Sequence, residues 1–413
     1  MRYCIVGNSA AGVFAAETIR ALDPRGEIDI FSEECCPAYA RCLTSYYLTG
    51  NIEDDRMLIR SPDFNEIHGI SLHAGEKVIK VDPDRKEIYT RSEKTFVYDK
   101  LLLATGASPV LPDIPGKHLK GVFTLRTWAD AKEIRSFTGP GKHAVVVGGG
   151  FVSLKAAYAL LQVGLSVTCI ISSSHLLSQM LDREAAEMVG AVLAAHGLKF
   201  IYRRNVVSVS GKGDGSQGEV IGGVKLDNGE ELPADLLIIG KGVTPNTGCL
   251  AGSGIATEQG ILVNEFLQTN YPDVYAAGDV AQGFDLISGR RRINAIWPNA
   301  AEQGMVAGKN MAGIPTAYQG SLGMNAADFY GLSVIAAGYA KGEEEEGYEV
   351  IRLYPGKHLY RKLVFAGDRL IGYIMVGKTA QAGILTALVR EQIPLGKMKE
   401  ELKQGYIRQR PLG

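Results

Sequence analysis

The sequence has no CxxC pair, and its cysteines are sparse, six in 413 residues. That scarcity and spacing exclude a disulfide scaffold, a paired-cysteine zinc site and a thioredoxin-type redox motif. Neither charge sign dominates: 44 lysines and arginines stand against 45 aspartates and glutamates, a net charge of −1. No global field draws the chain to nucleic acid or to an anionic membrane, so a charged partner must be met by a local patch. Long apolar runs are missing too. The most apolar stretch, residues 143–171, is broken by Gly148-Gly149-Gly150, Ser153, Lys155 and Gln162, and lacks the roughly 18 unbroken apolar residues of a membrane helix. The opening Met1-Arg2-Tyr3-Cys4-Ile5-Val6 reads as a strand rather than a signal segment, so a soluble, cytoplasmic protein in a reducing compartment is expected.

What is present is apolar residue, 46% of the chain, and 50 glycines. The length predicts two to four domains rather than one core. A repeat organises the chain. Residues 3–19 read strand, glycine turn, helix, and residues 143–163 read the same way. Each opening has a matching close, Leu101-Leu102-Leu103-Ala104-Thr105-Gly106-Ala107 in one case and Leu236 to Gly242 in the other. Two dinucleotide-binding units follow from this, joined by the Pro-rich segment 108–115. Beyond Pro245 a further strand runs into Gly278-Asp279, a helix spans about 297–312, and strand-like alternation (332–337, 348–353, 362–365, 370–376) precedes a terminal helix. This last region reads as a third, α+β domain, with the acidic run Glu343–Glu346 as a solvated hairpin tip.

The first turn, Gly7-Asn8-Ser9-Ala10-Ala11-Gly12, departs from GxGxxG at Ser9 but keeps glycine at both ends, where a tight turn lets a pyrophosphate approach the helix N-terminus. The strand that follows ends in Ser32-Glu33-Glu34, which puts a carboxylate where a ribose diol is bound. In the second turn, Gly148-Gly149-Gly150-Phe151-Val152-Ser153, Ser153 replaces the third glycine, and the next strand ends in Ser172-Ser173-Ser174 with no acid. A 2′-phosphate is tolerated there, yet no arginine stands beside the serines in sequence, so NAD and NADP both remain open.

Together the two glycine turns, Ala104-Thr105-Gly106, the strand ending at Gly278-Asp279 and the C-terminal region resemble the FAD-dependent pyridine nucleotide-disulfide oxidoreductases over nearly the whole chain. The resemblance implies an α/β fold with two Rossmann-like domains: FAD on 1–112 and 247–320, NAD(P) on 113–246, and an α+β interface domain on 321–413. By the same resemblance Asp279 reaches the ribityl region of FAD, the backbone near Val78 flanks adenine, and a helix carrying Trp297, Ala300 and Gln303 points its N-terminus at the flavin pyrimidine; read plainly, that helix is only amphipathic. Cys42 falls where coenzyme A-disulfide reductases, NADH oxidases and NADH peroxidases carry a single redox cysteine. The pattern Tyr39-x-Arg41 followed by Tyr47-Leu48-Thr49-Gly50 instead resembles rubredoxin reductases, ferredoxin-linked reductases and the flavin module of nitrite reductase. Ala10 occupies the position of the active-site histidine of the oxidases and peroxidases, which counts against peroxide chemistry.

Two readings of Cys42 stand: a thiolate beside flavin and Arg41, or a small packed side chain. Lys155 likewise is either an exposed helix lysine or a cation stabilising reduced flavin, since the family usually has glutamate there. Cys4, Cys169 and Cys249 read as core, and none of the seven histidines falls in a metal-like or base-like constellation. The expected function is therefore hydride exchange between NAD(P)H and FAD, with electrons passing to or from a ferredoxin- or rubredoxin-type iron-sulfur carrier. A disulfide reductase or oxidase using Cys42 and a flavin-holding subunit of a larger complex are the alternatives; a homodimer is the default by resemblance. Arg290-Arg291-Arg292, with Lys397, Lys399, Lys403, Arg408 and Arg410 in the tail, form the basic patches expected to steer an acidic carrier.

Overall fold

The computed structural model describes residues 1–212 and 219–405, which form two compact units. The first comprises 1–43, 52–108 and 243–322; the second comprises 44–51, 109–242 and 323–413 as far as it is described. No helix among the described residues is long and apolar enough to cross a membrane.

Each unit is built on one five-stranded parallel sheet, and four strands of each follow one order; the fifth, outside the closing strand, comes last in the chain in the first sheet and first in the second. In the first, Arg2–Val6 lies between Glu27–Ser32 and Lys100–Leu103, with Ile70–Ala74 and Val274–Ala276 at the edges. In the second, His143–Val147 lies between Ser166–Ile171 and Leu236–Ile239, with Lys199–Tyr202 and Val122–Phe123 outermost. The central strands are continuous apolar runs because both sheet faces are covered; Cys4, Ile5, Val145 and Val146 are fully buried. Cys4 and Cys169 belong to these strands, and burial pushes both thiols up to about 12. Cys249, also expected in the core, is only half-buried.

Glycine sets the spacing of the first unit. A β-carbon on Gly304 would lie 2.2 Å from the Ala11 carbonyl oxygen, and one on Gly308 would lie 2.8 Å from that of Ala15. The helices Ala10–Leu22 and Trp297–Met311 therefore pack nearly backbone to backbone.

Residues 323–405 add an antiparallel sheet to the second unit, in the order Met324–Phe329, Leu332–Gly338, Arg369–Val376, Leu359–Ala366, Glu349–Gly356, followed by helices Ala382–Glu391 and Lys397–Lys403. The acidic run is not a hairpin tip. Leu332–Gly338 and Glu349–Gly356 are not neighbours in the sheet, and Glu343 turns inward to bind Lys362 Nζ at 2.6 Å. Lys362 is fully buried on Leu359–Ala366. A buried ammonium needs a carboxylate, and Glu343, with Asp182 Oδ2 at 3.9 Å, supplies it.

Candidate active site

In the first unit the strand Arg2–Val6 ends at Gly7, whose φ of +128° and contact with the Ala104 carbonyl, 2.0 Å from a β-carbon built there, exclude any side chain. The next turn closes as tightly, for a β-carbon on Gly12 would sit 1.9 Å from the Gly7 carbonyl oxygen. Ser9 occupies the N-cap of helix Ala10–Leu22 without a side-chain cap, and no acid lies in the first turn. Free amides and the positive end of the helix dipole thus suit an anion such as pyrophosphate.

Ala11, Gly278, Ala300 and Gln303 converge on that turn. Gly278 has φ +81°, and a β-carbon on it would lie 3.3 Å from Ala11 Cβ and 3.6 Å from Ala300 Cβ. Its amide donates to Gln303 Oε1 at 2.7 Å, and Gln303 is buried. Asp279 follows, partly buried. The helix Trp297–Met311 has no side-chain cap and no acid in its first turn, and so keeps a positive N-terminal end. The closing segment is pinned by Asn246, whose side chain donates to the Thr105 carbonyl at 2.9 Å while its own carbonyl accepts from Thr105 Oγ1 at 2.8 Å. Its amide also donates to Gly106 O at 2.9 Å.

At the rim, Ser32 is buried and its hydroxyl donates to the Glu34 carbonyl at 3.0 Å. Glu33 is exposed, bound by Lys77 Nζ at 2.9 Å with Arg91 at 3.6 Å. Val78 opens the strand Val78–Asp82 and is buried in the core of this unit. Glu34, read from sequence only as one of the acids at the strand end, binds the Arg41 guanidinium and accepts from Tyr39 Oη at 2.6 Å, while Arg41 stacks over the Tyr39 ring at 4.9 Å. Sequence reasoning missed the role of Asp29, whose Oδ1 lies 2.7 Å from His73 Nε2, with that imidazole stacked on Phe31 at 4.6 Å. Cys42 is exposed, and desolvation by its neighbours pushes its thiol above the ordinary range. A thiol so shifted stays protonated at neutral pH. No group of three or more His, Cys, Asp or Glu among the described residues is placed to hold a metal.

The second unit repeats the first turn with altered pieces. Gly148 has φ +121°, with the Gly240 carbonyl 2.2 Å from a built β-carbon, and Ile171 crowds Gly149 at 2.8 Å. Gly150 caps helix Phe151–Gln162 without a side chain and meets nothing within 4 Å. Gly242, at φ +94°, is equally open. Phe151 is partly exposed and Val152 exposed at the mouth of this turn. By contrast the helices Trp128–Phe137 and Arg183–Ala195 are capped by Thr127 and Asp182. Ser172 is exposed, and the Ser173 hydroxyl donates to the His175 carbonyl at 2.7 Å.

Lys155 points along helix Phe151–Gln162 into a cage. Its Nζ donates to the Asp328 carbonyl at 2.9 Å and to the Tyr46 hydroxyl at 3.3 Å. The ring centroids of Tyr46, Phe329 and Tyr158 lie 5.0, 5.1 and 5.4 Å away. Neighbouring Tyr47 meets Trp128 edge-on at 5.9 Å and lies under Arg135. The segment Thr44–Leu48 is thereby fixed within the second unit.

A family model described as pyridine nucleotide-disulphide oxidoreductase matches residues 1–304. The chain is 33% identical over 395 residues to the assimilatory nitrate reductase electron transfer subunit of Bacillus subtilis (strain 168), which covers 95% of this chain and 49% of that protein. It is also 33% identical, over 402 residues, to the NADH-dependent phenylglyoxylate dehydrogenase subunit epsilon of Aromatoleum evansii, covering 96% and 93%. The ferredoxin reductase for the CYP199A2 system of Rhodopseudomonas palustris superposes with a TM-score of 0.84 at 25% identity, over 92% of each chain. The chain thus spans about half the length of the Bacillus relative and nearly all of the Aromatoleum one.

Proposed function

Because the chain belongs to the pyridine nucleotide-disulphide oxidoreductase family, we propose that it passes electrons between a nicotinamide nucleotide and an iron-sulfur carrier protein or subunit. It is an FAD-dependent NAD(P)H oxidoreductase. Bound FAD couples a two-electron nicotinamide to a one-electron carrier, and that is the chemistry the cofactor supplies.

The protein's part is to bind and align. Gly7, Ser9, Ala10, Ala11 and Gly12 offer the uncapped turn for the FAD pyrophosphate, with Ser32, Glu33 and Val78 toward adenosine. Ala104, Thr105, Gly106, Gly278 and Asp279 line the path of the ribityl chain, and Trp297, Ala300 and Gln303 carry the positive helix end that favours charge on a reduced ring. Gly148, Gly150, Phe151, Val152, Ser172, Ser173 and Gly242 form the nicotinamide nucleotide's cradle. Residues 1–112 with 247–320, 113–246 and 321–413 are the FAD, NAD(P) and interface domains of this assignment.

The observation that carries the carrier reading is the engagement of Arg41. Glu34 and Tyr39 hold its guanidinium, and Cys42 is left with a thiol pushed up by desolvation from its neighbours and no second cysteine at disulfide spacing. A protonated thiol without a partner cysteine is a poor nucleophile, which supports an external acceptor over thiol chemistry at Cys42. The Bacillus and Aromatoleum relatives, an electron transfer subunit and a dehydrogenase subunit by their names, support the same reading. In this role Lys155 positions the 44–51 segment that follows Cys42.

An anaerobic acceptor panel tests the proposal. FAD-loaded protein with NADH or NADPH should reduce ferredoxin or rubredoxin and leave coenzyme A disulfide untouched. Reduction of the disulfide that disappears in Cys42→Ser would replace this reading with the single-cysteine one.

A further inference from the structure

In sequence, no arginine accompanies the serines that end strand Ser166–Ile171. In the fold, two do. The parallel neighbour Lys199–Tyr202 ends in Arg203-Arg204, and the two strand ends are joined by backbone bonds. The Arg203 amide donates to the Ser173 carbonyl and the Arg204 amide to the Ile171 carbonyl, each at 3.3 Å.

The C-terminal end of the second strand in a dinucleotide unit is where the adenosine ribose lies, and a carboxylate there selects a free 2′-hydroxyl. This chain has no aspartate or glutamate from 171 to 181. Ser172 is exposed. Arg203 is exposed as well, and among the described residues its guanidinium has no carboxylate within 4.0 Å. Its φ of +58° is a conformation that side chains rarely adopt, and it persists where the surroundings fix it, as the bond to Ser173 does. Arg204 donates to the Arg203 carbonyl at 2.9 Å and keeps a loose ion pair with Asp227 at 3.9 Å. The other ionisable groups of this end are already engaged, Lys241 Nζ by Asn205 Oδ1 at 2.8 Å and His175 Nδ1 by the Leu176 carbonyl at 2.9 Å.

We propose that Ser172, Arg203 and Arg204 form a 2′-phosphate subsite, with Ser173 engaged in holding the turn, so that the chain selects NADPH over NADH. The Ser172 hydroxyl and a guanidinium fork match a phosphate dianion in charge and geometry. A 2′-hydroxyl in the same place meets no acceptor of the kind that NAD-selective sites provide. The proposal rests on the assignment of the second unit to the nicotinamide nucleotide.

Calorimetric titration of the FAD-loaded protein with adenosine 2′,5′-bisphosphate and with 5′-AMP tests the subsite without turnover. The two differ by the 2′-phosphate alone. Wild-type protein should bind the bisphosphate roughly tenfold to a hundredfold more tightly, the range of a charge-assisted hydrogen bond. Arg203→Asn, which tolerates the left-handed backbone, should bring the ratio close to one with 5′-AMP affinity unchanged. Ser172→Glu, at an exposed position, should invert it. Equal binding by wild type, or a ratio that neither variant moves, overturns the subsite alone. Failure of both nucleotides to bind overturns the assignment of the second unit and the subsite with it.

Discussion

Ser153 Oγ lies 3.3 Å from the carbonyl oxygen of Gly240, and a β-carbon built on Gly240 would stand 2.1 Å from that hydroxyl. The first unit has glycine on its helix, Gly12, and alanine on its closing strand, Ala104. In the second unit the larger residue is on the helix and glycine is on the strand. Each arrangement keeps one small residue in the crowded layer where turn, helix and closing strand meet. Gly240→Ala should therefore destabilise the protein by about 1–3 kcal/mol, the usual cost of overpacking. Ser153→Gly in the same background should restore most of the loss, giving a favourable coupling in a double-mutant cycle. Additive effects in chemical denaturation would refute the compensation.

Cys42 is exposed to solvent, with its thiol raised above the ordinary range by desolvation. A raised thiol is neutral at physiological pH and ionises only as pH climbs through its higher value. Alkylation of Cys42 by iodoacetamide should thus be slow at neutral pH and accelerate in alkaline solution. Cys42→Ser should keep most NAD(P)H-dependent reduction of an iron-sulfur acceptor. A loss of about three orders of magnitude, or a thiolate-to-flavin charge-transfer band on reduction, would identify a redox cysteine instead.

Lys155 binds the Asp328 carbonyl and the Tyr46 hydroxyl amid three aromatic rings. Lys155→Met should lower stability by about 1–3 kcal/mol through lost cation–π and hydrogen-bond contributions. The flavin midpoint potential should move by less than about 30 mV, the equivalent of roughly 1.4 kcal/mol for two electrons. A larger fall in potential at unchanged FAD content would make Lys155 a cation acting on the reduced ring.

The two nucleotide turns were readable because their signals are local: glycine at fixed offsets between an apolar strand and a helix. What was not readable shares a cause, since each case turns on residues far apart in sequence. Glu343 looks like a surface acid until strand pairing brings the buried Lys362 to it. Lys155 meets Tyr46 and Asp328 across 109 and 173 residues. In the tail, Lys399 and Lys403 are bound by Glu349, at 2.6 and 2.8 Å, and no longer count as an open basic patch. Arg408 and Arg410 lie outside the described residues. The strand Met324–Phe329 was missed because MNAADF has little apolar alternation to mark it.

The arginine hairpin of the first unit is an open basic patch. Arg291–Arg292 pairs antiparallel with Ala281–Phe284, and the turn between them is held by buried Asp285, which accepts from the Ser288 amide and hydroxyl and from Asn294 Nδ2 at 2.8, 2.7 and 2.8 Å. Arg291 lies 5.6 Å from the centroid of the exposed Phe284 ring. All three arginines are exposed, and among the described residues none has a carboxylate within 4.0 Å. Five residues on, helix Trp297–Met311 begins. Unpaired positive charge on a rigid base at this place suits an acidic carrier, because steering acts on encounter rate and weakens with salt. Replacing Arg290, Arg291 and Arg292 together with serine should slow reduction of the carrier about tenfold or more at low ionic strength and flatten its salt dependence. Reduction of a small neutral dye should not change. Equal slowing with carrier and dye would mean that the arginines serve flavin binding or folding, and no slowing with either would remove this hairpin from the docking surface.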